Sequence, residues 1–380
     1  MSIYFDNSAT TAPSEGVCRA VADTMKSVYG NPSSLHRMGK AAEDLMEDCR
    51  TKVAKSLGAT AEEIVFTSGG TESDNAAIIG YCRCNKRKGN RIITTKTEHP
   101  AVHEAFKQLE SEGFEAVYLD VDKEGKVSLE QLRTELDKGA LLVSVMHVNN
   151  ETGTIQPIEE IAQMVHSAGA VLHVDAVQSY GKIRISAKKL GADLLSVSAH
   201  KVHGPKGVGA LYIRKGIRIV PVIYGGGQEK GLRSSTENIP GIAGFAVAAE
   251  ELTANFDTNV AAMEAVKNCL LDKISKNIEN TVINTPADST CGVLNVSFTG
   301  VKSEVLLHVL EDKGIYVSSG SACSSHKKGR SHVLTAMGVK DNIIDSAIRF
   351  SFSGDNTVEE AETVYKVLCE QIPVLRAIMR

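Results

Sequence analysis

No run of about 18 apolar residues occurs, which excludes a membrane-spanning helix. The start, Met1-Ser2-Ile3-Tyr4-Phe5-Asp6, lacks the basic and then apolar pattern of a secretion signal, so a cytoplasmic protein is expected. Neither sign of charge dominates. The 42 Lys and Arg against 46 Asp and Glu leave a net charge of −4, which speaks against nucleic acid or an anionic membrane as partner. Paired cysteine spacings are missing as well. The eight cysteines lie at 18, 49, 82, 84, 269, 291, 323 and 369, and Cys82-Arg83-Cys84 is one residue too tight for a CxxC pair. No metal site is therefore expected, and most of these thiols read as small core residues in a reducing compartment. There is no internal repeat and no low-complexity linker.

What remains is 380 residues, 42% of them apolar, enough for a full core and for more than one domain. Short apolar runs alternate with helical patterns. Strands are expected at 64–67, 91–94, 116–119, 141–146, 170–175, 194–198 and 210–213, and helices at 38–57, 76–81 and 157–167. This alternation predicts an α/β domain with a largely parallel sheet. A single long helix over 240–272 bridges to a smaller α+β domain, with strands at 294–298, 316–319 and 347–352. The last helix opens on the capping box Thr357-Val358-Glu359-Glu360. Thr11 and Ser14 are candidate caps for the first helix.

In parallel sheets a ligand lies beyond the carboxyl ends of the strands. Gly70, His99, Asn150, Asp175 and Lys201 all follow predicted strand ends, so one edge gathers them. Lys201, in Ser198-Ala199-His200-Lys201-Val202-His203-Gly204-Pro205, ends a buried strand. A lysine there is costly unless exposed, paired or used. One use is a Schiff base with pyridoxal phosphate (PLP); the plainer reading is a solvated loop lysine. PLP also needs a phosphate cup, an acid at its ring nitrogen and a group against its ring. Gly70, Thr71, Ser198 and His200 are candidates for the phosphate, and the strand–glycine–helix turn at Ser68-Gly69-Gly70 suits one. A plain βα turn is the alternative. Asp175 fits the acid, His99 the ring face, and Asn150 and Gln178 the ring hydroxyl. Singly, each reads as well as a cap, a salt-bridge partner or a satisfied loop residue.

Cys323 sits in Ser318-Ser319-Gly320-Ser321-Ala322-Cys323-Ser324-Ser325-His326-Lys327-Lys328-Gly329-Arg330, a small, polar run that predicts a mobile loop. The nearby cations favour thiolate; an incidental exposed thiol is the alternative. Arg349, on the run Ile348-Arg349-Phe350-Ser351, is either an edge charge or a bidentate grip on a carboxylate.

Nearly the whole chain resembles the cysteine desulfurases of the NifS/IscS type, which are fold-type-I (class V aminotransferase-like) PLP enzymes. The resemblance is carried by Tyr4-Phe5-Asp6-Asn7-Ser8-Ala9-Thr10-Thr11, Gly30-Asn31-Pro32-Ser33-Ser34, 67–75, Thr97-Glu98-His99 and His147-Val148-Asn149-Asn150-Glu151-Thr152-Gly153. It continues in His173-Val174-Asp175-Ala176-Val177-Gln178-Ser179, in 198–212, in 225–238, in 318–323 and in 349–357.

The resemblance implies a large PLP domain with a mostly parallel seven-stranded sheet, residues 15–255, and a small α+β domain, residues 1–14 and 256–380. It implies that L-cysteine is converted to L-alanine, and that sulfur passes to a Cys323 persulfide and then to an iron–sulfur scaffold or a tRNA-thiolation enzyme. Lys201 would hold PLP and move protons, His99 would stack on the ring and act as acid and base, and Asp175 would pair with the ring nitrogen. Gly70, Thr71, Ser198 and His200 would bind the phosphate, joined by Thr236 from the second subunit of a homodimer. Arg349 and Asn150 would hold the substrate carboxylate. Cys323 is the one thiol expected to touch an iron–sulfur cluster, transiently. A selenocysteine lyase, or another PLP lyase or aminotransferase of the same fold, is the alternative. Ser235 stands where the family usually has Gly, and Gly70 where Ala is common; the latter exchange is expected to be neutral.

Overall fold

Twelve short segments of the chain become strands in the computed structural model, which describes residues 2–319 and 330–379. In chain order they are Ile3–Tyr4 (β1), Ile64–Thr67 (β2), Arg91–Thr95 (β3), Glu115–Leu119 (β4), Leu142–Met146 (β5), Val171–Asp175 (β6), Leu194–Ser198 (β7) and Gly209–Ile213 (β8). Thr281–Ile283 (β9), Val293–Phe298 (β10), Ile315–Tyr316 (β11) and Ala347–Ser351 (β12) follow.

β2 to β8 form one seven-stranded sheet in the order β2-β8-β7-β6-β5-β3-β4. β8 is antiparallel to both of its neighbours, and every other pair is parallel. β5, β6, β7 and β8 are buried along their whole length, as a sheet covered on both faces requires. The period of two is visible in what each side chain packs against. Val143, Val145, Leu172 and Val174 join one apolar cluster, with helices Arg37–Ser56, Ile158–Ser167 and Ile239–Ala254. Leu142, Val171, Leu194 and Leu211 join the other, with helices Gly70–Asn85 and Pro100–Ser111.

A third core gathers Ile3 and Phe5 with side chains from Met263 to Leu375. It is built on the antiparallel sheet β12-β10-β9 and the parallel pair β1-β11. The strand at the N-terminus had no sequence signal of its own, because it is two residues long and pairs across 312 positions, Ile3 with Ile315.

Three sequence expectations change. The helix after β2 begins at Gly70 rather than at 76, because Gly69, at φ 150°, breaks the chain and Glu72 caps back onto the Ser68 N–H at 2.9 Å. The polar run 71–75 is thus the first helical turn and not a loop. The single helix expected over 240–272 is two, Ile239–Ala254 and Phe256–Asn277. Asn255, at φ −106° and ψ 12°, leaves the helical region and breaks it. Ser14 caps the first helix, with the Val17 N–H on its Oγ at 3.1 Å, but Thr11 does not. Thr11 instead ties the N-terminal segment to the Lys201 turn: its hydroxyl donates to the His200 carbonyl and accepts from the His203 N–H. Among the described residues no helix is long and apolar enough to cross a membrane.

Candidate active site

Beyond the carboxyl ends of the sheet strands lies a cavity of about 210 Å³. Gly70, Thr71, His99, Asn150, Asp175, Gln178, Ser198, His200 and Lys201 all line it, as do Ala9, Asp74, Met146 and Val177. Nine residues proposed from sequence thus meet in one place.

Each arrives by a simple device. Lys201 ends a single 3₁₀ turn, Ala199–Lys201, directly after β7. Its Nζ donates to the carbonyls of Ser8 at 2.5 Å and Ala9 at 2.8 Å. Asp175 is the last residue of β6, and its carboxylate accepts the Val177 N–H at 2.9 Å. Burial, and then the neighbouring Asp74, push its pKa up to about 7. His99 precedes helix Pro100–Ser111 and caps it, Nδ1 accepting the Ala101 N–H at 3.1 Å. That bond places the ring proton on Nε2. Burial, followed by the charge on Lys201, lowers the His99 pKa to about 4, so the ring is neutral at physiological pH.

The phosphate candidates cluster where helix Gly70–Asn85 begins. Its first-turn N–H groups have no intrahelical acceptor and carry the positive end of the helix dipole. Ser198 Oγ lies beside them, buried and with no hydrogen-bond partner in the protein. A β-carbon built on Gly69 would lie 3.6 Å from that oxygen. His200 engages Thr10 Oγ1 through Nδ1 at 3.2 Å, and burial, then Lys201, lowers its pKa to about 4. A β-carbon built on Gly70 would stand 2.7 Å from Val177 Cγ2, so this chain packs Val177 against the glycine.

Gln178 is held at both ends of its amide. Nε2 donates to the Ser8 carbonyl at 2.9 Å, and Oε1 accepts from Lys182 Nζ at 3.5 Å. Arg349 does not line the cavity. Its guanidinium is buried, donating to the Asn150 carbonyl at 3.0 Å and to Asp6 Oδ1 at 2.9 Å, while its Nε has no partner. It therefore touches the backbone of a cavity residue and is neutralised by Asp6. Thr236 is exposed and away from the cavity of its own chain. Ser235 beside it has φ 130°, a conformation that suits glycine. Cys323 lies outside the described residues.

Sequence reasoning missed Asp74, and quoted Glu98 without giving it a role. Asp74 is one turn after Gly70 and Thr71, and so shares their helix face, a spacing that was legible. Glu98 adjoins His99, but nothing in the sequence signals that its side chain turns inward.

An orphaned hydroxyl at a helix N-terminus, a buried acid, a capped neutral histidine and a strand-end lysine around one cavity fit the donor set that PLP needs. The comparison with known proteins agrees. Residues 3–364 match the family described as Aminotransferase class-V. The chain belongs to that family. Within it, the chain is of the cysteine desulfurase, NifS/IscS type. A cysteine desulfurase IscS of Methanosarcina thermophila is 44% identical over 375 residues, 99% of this chain and 93% of that protein. One of Dictyoglomus turgidum is 42% identical, over 99% of this chain and 96% of the relative. Among solved structures, a NifS-like protein superposes with a TM-score of 0.93 at 42% identity, covering 99% of this chain and all of that one. A structure described as SspA in complex with cysteine superposes at 0.82, with 33% identity, over 92% of this chain and 99% of that one. The seven-stranded mixed sheet is that of the fold-type-I enzymes of this family.

Proposed function

We propose that the protein is a PLP-dependent cysteine desulfurase that converts L-cysteine to L-alanine and passes the sulfur through Cys323 to an acceptor protein. The observation that carries this reading is the convergence of Lys201, Asp175, a neutral His99 and the orphaned Ser198 hydroxyl on one cavity. PLP, when bound, supplies an electron sink that stabilises negative charge next to the substrate nitrogen. Lys201 would hold it covalently and move a proton at the substrate Cα. Asp175 would face the ring nitrogen. The N-terminus of helix Gly70–Asn85, with Thr71, Ser198 and His200, would take the phosphate, joined by Thr236 of a second copy in a homodimer. Gln178 and Asn150 would set the ring hydroxyl. His99 would pack on the ring face and exchange a proton at Nε2, since Nδ1 is occupied.

For the substrate carboxylate we propose Arg349, whose Nε is unpaired, and Asn150. Binding then requires the guanidinium to exchange Asp6 for the substrate. The Cys323 thiolate would attack the substrate sulfur. The sulfur–carbon electron pair stays with carbon, which takes up a proton and leaves as alanine, and Cys323 keeps the persulfide. The acceptor would be an iron–sulfur scaffold or a tRNA-thiolation enzyme.

One assay tests the reading. Purified protein is given L-cysteine and a thiol reductant, and visible absorbance, alanine and sulfide are followed, with Cys323→Ala alongside. A yellow protein that makes both products, with a yellow and silent variant, supports the desulfurase. An active variant moves the function to another lyase of this fold, and a colourless protein that PLP does not restore sinks the cofactor.

A further inference from the structure

Three carboxyls sit together at the cavity, two in its lining and Glu98 behind it, and the reaction uses only one. Asp74, Glu98 and Asp175 are 1%, 0% and 5% exposed. Their arrangement follows the sheet register. Asp175 at the end of β6 pairs with Met146 of β5 on one side and Ser196 of β7 on the other. Glu98 Oε1 accepts the Met146 N–H at 3.0 Å and the Thr95 hydroxyl at 2.8 Å. Asp74 meets the Ser196 hydroxyl. The two acids thus flank Asp175 from its two neighbouring strands.

Among the described residues, neither Asp74 nor Glu98 is within ion-pair distance of a lysine or arginine, and Asp74 Oδ1 and Glu98 Oε2 have no hydrogen-bond partner. The groups facing the cluster are few. Lys201 acts on Asp175. From β6, His173 stands 3.5 Å from Asp74, but Nε2 is on Ser196 Oγ at 3.0 Å and Nδ1 on Ser144 Oγ at 2.8 Å. Burial lowers its pKa to about 4, so it is neutral. His99 is neutral too. His332 reaches only the Glu98 backbone carbonyl, and His103 that of Thr95. Carboxyls that share a buried site cannot all ionise. Asp74, Ser196, His173 and Ser144 form one hydrogen-bonded chain, in which a protonated Asp74 can donate to Ser196 Oγ.

We infer that Asp74 and Glu98 are positioning residues that each hold a proton, leaving Asp175 as the single anion of the cluster, opposite the ring nitrogen. This rests on the PLP reading. It explains why three acids are tolerated where one positive ring nitrogen is to be matched: a second anion would over-compensate it, and a neutral acid adds no charge. Burial drives all three acids the same way, Asp74 and Asp175 up to about 7 and Glu98 up to about 8; what sets Asp175 apart is that Lys201 faces it.

The test is infrared difference spectroscopy on the holoenzyme at neutral pH, wild type against Asp74→Asn and Glu98→Gln. Each difference spectrum is expected to show loss of a protonated-carboxyl C=O stretch. Loss of a carboxylate stretch instead overturns the inference. Both amide variants are expected to keep the visible band of the cofactor, with its dissociation constant changed by less than about tenfold, the equivalent of one pKa unit. Asp175→Asn is expected to exceed that. A larger loss for either amide variant, showing that its charge is needed, also overturns the inference. Should a variant fail to fold, the wild type decides: its protonated-carboxyl stretch is present at neutral pH and converts to carboxylate on alkaline titration, and absence of that conversion overturns the proposal. A wild type with no visible band defeats the cofactor reading. A wild type with the band but no protonated carboxyl defeats this inference alone.

Discussion

Two single positions test how tightly backbone and side chains are matched around the site. Gly70 opens the helix that faces the phosphate position, and Val177 stands over it. A β-carbon at 2.7 Å from Val177 Cγ2 is closer than packed carbons tolerate, so the Val177 side chain or the backbone around it must shift. Overpacking of this kind typically costs about 1–3 kcal/mol. Gly70→Ala is therefore expected to lower stability by about that amount, and Gly70→Ala with Val177→Ala to recover most of it. Denaturant titration of the two singles and the double measures the coupling, and additive losses would refute the contact. Ser235 is the opposite case. Its φ of 130° strains any side chain, by roughly 1–3 kcal/mol, whereas glycine gives back only part of that in chain entropy. Ser235→Gly is expected to stabilise by about 1 kcal/mol, and equal or lower stability would show that the turn is not strained.

The segment that carries Ser235 and Thr236 is held to the sheet by one buried ion pair. Arg50, in helix Arg37–Ser56, meets both Glu229 oxygens, at 2.7 and 2.9 Å, with both side chains 3% exposed. Glu229 also accepts the Phe66 N–H of β2 at 3.0 Å, and the Arg50 guanidinium lies 4.8 Å from the Phe66 ring centre. Breaking a buried pair leaves an unpaired charge and costs about 3–5 kcal/mol. Glu229→Gln is expected to lose stability near the lower figure, since Glu47 still meets Arg50 Nε at 3.0 Å. Glu229→Gln with Arg50→Met is expected to regain part of the loss. Equilibrium unfolding checks this, and no loss in the single variant would show that water relieves Arg50. This pair illustrates what was legible in the sequence. The strand runs at 64–67 and 194–198 could be read because each is short, apolar and closed by a turn. So could the placement of Gly70, His99, Asp175 and Lys201, because strand ends share an edge. Arg50 and Glu229 lie 179 positions apart, and nothing local marks either as buried. The same is true of Asp6, which occupies Arg349, and of Ser8, whose carbonyl receives both Lys201 and Gln178. Polar residues whose partners come from distant segments read as solvated loops until the fold brings them together.

At the scale of the whole molecule, two apolar regimes meet: the cores on either face of the large sheet, and a separate core that joins Ile3 and Phe5 to the chain after Met263. We propose on that ground that 15–255 forms one domain and 1–14 with 256–380 the other. The cavity collects residues from the strand ends of the first and is roofed by Ser8 and Ala9 of the second. Buried ionisable groups in and around it give the apoprotein a pH profile of calculable sign. His99, His147, His173 and His200 have pKa values lowered to about 4, chiefly by burial, against about 6.5 in an unfolded chain. Their contribution is present above pH 6.5 or so and is lost as pH falls toward 4. Asp74, Asp175 and Glu98 are raised to about 7, 7 and 8, again first by burial. Their contribution is present below about pH 4, where the unfolded carboxyls are protonated, and is lost as pH rises through 7 and 8. Between about pH 4 and 6.5 the two sets oppose each other. From about pH 6.5 to 8 the three carboxyls dominate, with Lys182 and Lys267, lowered to about 8 by burial, opposing them only toward the upper end, so the melting temperature of the apoprotein is expected to fall across that interval. Asp74→Asn removes one of the three groups and is expected to make the fall shallower. Thermal melts of apoprotein at constant ionic strength measure it, and a melting temperature that is flat or rises from pH 6.5 to 8 would mean that these acids are already ionised in the folded state.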